Sequence, residues 1–161
     1  VHIPAFITQL TGITNAMVAG APPAEAVMAD AARFVGEVPM VAHNASFDQR
    51  WWRAELALAD APAPHLFACT VLLSRRLYPE APAHKLGVLA DWLGLPRSGR
   101  AHRALADAEV TAELLARLRH DLMHRHRLPE PDHGLLQTLQ RCQKDQLPRL
   151  LQSLVARPAV A

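Results

Sequence analysis

Two stretches of this sequence hold most of its chemical potential: Ala42-His43-Asn44-Ala45-Ser46-Phe47-Asp48, and His102-Arg103-Ala104-Leu105-Ala106-Asp107-Ala108. Together they pair two carboxylates with a histidine. Carboxylate oxygens suit hard divalent cations, and an imidazole can exchange a proton with water near neutral pH. Singly, neither stretch is specific, because an Asp that opens a helix is commonly a first-turn charge matched to the helix dipole. Seven of the other histidines, His43, His65, His84, His120, His124, His126 and His133, have no such partner pattern and read as surface or satisfied core side chains.

The elements that must position these groups follow from periodicity and punctuation. Pro39 opens a short apolar strand, Met40-Val41-Ala42, that runs into the Asn44 stretch, and a helix follows from about Phe47 with Trp51, Trp52 and Leu56. Pro62 and Pro64 forbid its continuation. Upstream, residues 1–14 read as extended segments and turns broken at Gly12. A helix is expected from Pro22-Pro23 to Val35, with Gly36 as its stop. Downstream, Leu66-Phe67-Ala68 reads as a second strand, Thr70 to Leu77 as a helix, and His84 to Leu93 as another, capped by Gly94. Arg103 to Met123 is the longest helix, with Leu105, Ala108, Ala112, Leu115, Leu118 and Leu122 as its apolar stripe. Strands alternating with helices indicate an α/β layered domain. Residues 124–133, with two prolines and three histidines, read as a linker, and 134–161 as a helical tail interrupted by Pro148.

Asn44-x-x-Phe47-Asp48 directly after a strand, then His102-x4-Asp107 at the head of an Ala/Leu-rich helix, resembles the second and third motifs of the DnaQ-like (DEDDh) 3′-to-5′ exonucleases. That family includes the epsilon proofreading subunit of DNA polymerase III. Ile3-Pro4-x-Phe6-Ile7-Thr8-x-Leu10-Thr11-Gly12-Ile13-Thr14 resembles the segment preceding the second motif, so the likeness covers roughly residues 1 to 122. The resemblance implies a ribonuclease H-like exonuclease fold for residues 1–123. It also implies that Asp48 and Asp107 ligate Mg2+ or Mn2+ in a two-metal site, that His102 is the general base, and that DNA, as single-stranded 3′ ends, is the substrate, with DNA polymerase subunits as partners.

By the same resemblance Thr11, Gly12 and Ile13 approach the terminal nucleotide, although Gly12 also reads as a turn and Ile13 as core. Asn44 reads equally as a substrate contact or an Asx-turn, and Phe47 as core or as a stacking face beneath a base. The family's first motif, Asp-x-Glu, has no counterpart here and would fall before Val1. The expectation is therefore a fold lacking its N-terminal central strands, with two of four metal-binding carboxylates, inactive and poorly stable as it stands. A non-catalytic remnant that binds nucleic acid or a polymerase is the alternative.

At 161 residues, 50% hydrophobic and 20% charged, the chain has the composition of a soluble globular domain. No apolar run reaches the roughly 18 residues that a membrane helix needs, so a cytoplasmic protein without membrane partners is expected. The two cysteines, Cys69 and Cys142, are far apart and offer neither a disulfide framework nor a zinc pattern. A formal charge of +2 discriminates little, but Arg97, Arg100 and Arg103 flank His102, and the planar guanidinium suits phosphate oxygens. The trio reads otherwise as a solvated loop.

Overall fold

The structure, a computed structural model, describes residues 2–97 and 104–156. Where Ile, Phe and Thr favour extended chain, residues near the start instead form helices α1 (Ala5–Thr11) and α2 (Asn15–Val18). β-propensity is a weak preference, and here local punctuation outvotes it. Pro4 enters α1 in an extended conformation, and Gly12 closes it at φ 75° with its N–H on the Thr8 carbonyl. The Thr14 hydroxyl caps α2 by accepting from the Met17 N–H. Helix α3 (Ala24–Val35) follows its sequence signals, bounded by Pro23 and by Gly36 at φ 58°.

Strand β1 (Met40–Ala42) leads through Asn44, at φ 68°, into α4 (Ala45–Leu58). Asn tolerates this left-handed conformation better than most residues do. The chain returns through the proline loop to strand β2 (Phe67–Cys69), which pairs in parallel with β1 in the register Met40 to Phe67, Val41 to Ala68 and Ala42 to Cys69. The Met40 N–H donates to the Leu66 carbonyl, so Met40 and Ala42 address β2 while the Val41 peptide groups face the other edge. No further strand lies along that edge among the described residues.

Helix α5 (Thr70–Leu77) starts where β2 stops, and α6 (Leu86–Leu93) ends at Gly94 with φ 64°. Helix α7 (Ala104–His124) is the longest, but its buried face is rotated from the stripe read in the sequence. Ala106, Val110, Leu114, Leu118 and Leu122 are buried, whereas Leu105, Ala108 and Ala112 are exposed. An Ala/Leu-rich helix offers two apolar stripes, and periodicity cannot say which one meets the core. Leu114, Leu118 and Leu122 pack with Leu73, Tyr78 and Leu89 in the main cluster. Each fully buried leucine contributes about 1.5–3 kcal/mol.

The tail is helical too, but Pro148 does not interrupt it. Helix α8 (His133–Arg141) is capped by the Asp132 side chain, and α9 (Leu147–Val155) carries Pro148 in its first turn, where a missing N–H costs nothing. Leu136, Leu139, Leu147 and Leu151 join the main cluster. Gln137 and Gln140 reach the outer edge of β2. Gln137 Nε2 donates to the Phe67 carbonyl at 2.5 Å, and Gln140 Oε1 accepts from the Cys69 N–H at 2.6 Å. These amides satisfy backbone groups that would otherwise be an open strand edge. No helix among the described residues is long and apolar enough to cross a membrane.

Candidate active site

A cleft of about 930 Å3 opens at the carboxyl end of β1, between α4, α6 and α7. The ends of parallel strands are where α/β folds place ligands, because side chains there are held by the sheet while the adjoining loops stay open. Val41 to Asn44, Phe47 and Asp48 line one side; Ala104, Ala108 and Ala112 of α7 line another. The small α7 residues excluded from the core thus make room in the cleft.

Asp48 and Asp107, far apart in sequence, both line this cleft. Each stands in the first turn of its helix, α4 or α7, where the dipole stabilises a carboxylate. Asp48 is exposed and Asp107 half-buried. The Thr111 hydroxyl donates to the Asp107 carbonyl at 2.8 Å, tying down that turn. Asn44 lines the cleft and supplies the left-handed entry to α4, without a side-chain cap bond. Phe47 is not core: it is 53% exposed, lines the cleft and meets Trp51 at 6.2 Å between ring centroids. Trp51 is also half exposed, whereas Trp52 donates to His65 at 2.9 Å.

Thr11, Gly12 and Ile13 lie at the end of α1 and do not line the cleft. The Thr11 hydroxyl donates to the Ile7 carbonyl at 2.8 Å. His102, with Arg100 and Arg103, lies outside the described residues. Arg97 does reach the cleft, ion-paired with Asp91 at 2.8 Å and hydrogen-bonded to the Gly87 carbonyl.

His43 has a place in the cleft that its sequence pattern did not reveal. Its Nε2 lies 3.0 Å from the His84 carbonyl and its Nδ1 2.9 Å from the Thr70 hydroxyl. A carbonyl can only accept, so Nε2 carries the proton and Nδ1 accepts from Thr70. Burial lowers the His43 pKa, with the His84 carbonyl and the Asp48 charge working partly against it. The neutral ring therefore ties the end of β1 to the start of α5 and to the approach to α6. Its signal in the sequence was its position, a polar side chain at the carboxyl end of a short apolar strand. Lys85, exposed at the rim, stands in no sequence pattern that marks it.

The donor set bears on metal binding. Asp48 and Asp107, with the Arg97-paired Asp91, bring carboxylates to the cleft, the donor type that hard cations such as Mg2+ favour. Among the described residues, no group of three or more His, Cys, Asp or Glu is placed to hold a metal ion.

Comparison with known proteins bears on the family and the fold. The family model RNase_T, described as exonuclease, matches residues 1–115. A DNA polymerase III PolC-type protein of Clostridium perfringens is 40% identical over 115 residues, 71% of this chain and 8% of that protein. The 3′-5′ exonuclease DinG of Bacillus subtilis is 42% identical over 122 residues, 73% of this chain and 13% of that protein. The chain thus corresponds to a small part of these relatives. Among solved structures, exonuclease X in complex with 5′-overhanging duplex DNA superposes with a TM-score of 0.61 at 27% identity, covering 87% of this chain and 75% of that one. The architecture is accordingly that of the ribonuclease H-like exonuclease fold, and the chain belongs to the RNase_T exonuclease family.

Proposed function

We propose that this chain carries part of a metal-dependent 3′-to-5′ exonuclease site acting on DNA ends in proofreading or repair. The observation that carries the reading is the convergence of Asp48 and Asp107, from the first turns of two separate helices, on one cleft. In this reading both carboxylates hold Mg2+ or Mn2+, His102 takes the proton of the attacking water, Asn44 and Phe47 line the path of the strand, and Thr11 to Ile13 meet the terminal nucleotide. The cation would supply charge neutralisation at the scissile phosphate. Residues 1–123 carry the site, 124–133 connect, and 134–161 close the fold.

Two carboxylates cannot hold two cations at the spacing of a two-metal site. The chain alone is therefore expected to be inactive, and an extended protein carrying an upstream Asp-x-Glu to be active. Both forms would be incubated with 5′-labelled single-stranded DNA and Mg2+ or Mn2+. A ladder of shortened products is expected from the extended form only, suppressed by Asp48→Asn or Asp107→Asn, and in His102→Ala slowed on the order of 100- to 10,000-fold. Cleavage indifferent to both Asp substitutions would overturn the reading. The small carboxylate set also favours a second reading, a non-catalytic remnant that binds nucleic acid or polymerase subunits; DNA binding without cleavage in the extended form would select it.

A further inference from the structure

A second group of metal-ligating side chains lies away from the cleft, on α7. His120 and His124 are four residues apart on an exposed face, and their rings stack with centroids 4.0 Å apart and planes 19° apart. Each has one ring nitrogen committed. His124 Nδ1 lies 2.8 Å from the His120 backbone carbonyl, which can only accept, so Nδ1 carries the proton and Nε2 the lone pair. His120 Nδ1 lies 3.3 Å from Oδ1 of Asp121.

Asp121 is buried, receives the Tyr78 hydroxyl at 2.9 Å and is flanked by Arg117 and Arg125. It is thus held as a charged acceptor, and His120 likewise keeps its lone pair on Nε2. A carboxylate or carbonyl behind the distal ring nitrogen is the usual way a ligating histidine is oriented. Two histidines at i and i+4 on one helix face are also the spacing of a known zinc-binding helix.

We propose that His120 and His124 chelate a divalent cation of the Zn2+ class through their Nε2 atoms, with water completing the shell. Closing on the metal requires the two rings to splay from their stacked arrangement. That is a rotation about χ2, which is broad for histidine, and it loosens the two Nδ1 hydrogen bonds, whose part is to set the tautomer of the metal-free rings. A groove of about 230 Å3 lies beside His120, bordered by Met123 and by the ion pair of Arg119 with Glu130, which offsets the arginine charge on that side. Imidazole nitrogen selects Zn2+, Ni2+ or Cu2+ over Mg2+, so this site differs in class from the proposed cleft site and does not depend on it.

The test is titration of the untagged chain with Zn2+ by calorimetry, in the presence of excess Mg2+. A single Zn2+ per chain is expected, undisturbed by Mg2+, with affinity reduced more than tenfold in His120→Gln and in His124→Gln. Cys142→Ser and His84→Gln should leave it unchanged. Both ligand positions are solvent-facing, and circular dichroism of each variant checks that the fold persists. Zn2+ binding of equal affinity in both α7 variants, displacement of Zn2+ by Mg2+, or no binding at all would overturn the proposal.

Discussion

His43 shows how one side chain can couple the cleft to the stability of the whole fold. Burial holds its pKa below the ordinary histidine value, and His133 is lowered by burial in the same way. As pH falls below about 6.5, the unfolded chain takes up protons that the folded chain still refuses, so stability is complete above that value and declines beneath it. His43→Gln is expected to flatten the fall in melting temperature between about pH 7 and pH 5; an unaltered slope would count against this. Asp121 adds a lower window. Burial pushes its carboxyl up, but hydrogen bonds from Tyr78 and His120 and the charges of Arg117 and Arg125 outweigh this and hold it below the usual carboxylate value. Its contribution is present above about pH 4 and lost as pH falls further. Burial and the Asp121 carboxylate together raise the Tyr78 pKa, keeping the phenol a donor. Tyr78→Phe should cost about 1–3 kcal/mol in denaturant unfolding, because it removes a donor from a buried charge.

At the scale of elements, α8 replaces a neighbouring strand with side chains. Gln140 accepts from the Cys69 N–H and donates to the Phe67 carbonyl at 3.2 Å and to Gln137 at 3.1 Å. Gln140→Met keeps the volume but orphans the Cys69 N–H, so a loss of about 1–3 kcal/mol is expected from the shift in urea midpoint. Leu118→Ala, at the centre of the main cluster, should cost about 2–5 kcal/mol by the same measurement. The bounds of α3, β1 and α5 were legible because local signals set them: prolines and Gly36 for α3, Pro39 for β1, and the end of the strand for α5. Helix α1 was not, since its residues prefer extended chain and only Pro4 and Gly12 argue otherwise. Pro148 reads as an interruption because a proline breaks a helix interior, but it suits a first turn, and the sequence does not say which of these it occupies.

For the whole molecule, apolar surface left outside the core dominates. Phe34 is 92% exposed, Phe6 66% and Val38 65%, and α1, α2 and α3 bury no residue. With about 25 cal/mol lost per Å2 of apolar area left in water, the isolated chain is expected to unfold with low cooperativity and to associate as its concentration rises. Scanning calorimetry and light scattering check this, and a sharp melt independent of concentration would contradict it. The sequence by itself determined the family and the positions of Asp48 and Asp107, because motif spacing and the strand and helix starts that carry it are local properties of the chain. Tertiary structure decided that α7 turns its Leu114 face to the core and its alanine face to the cleft, that Phe47 stays in solvent, and that His43 joins the cleft wall. Those outcomes depend on which surfaces meet, and a helix with two apolar stripes or a histidine at a strand end carries no local record of its partner.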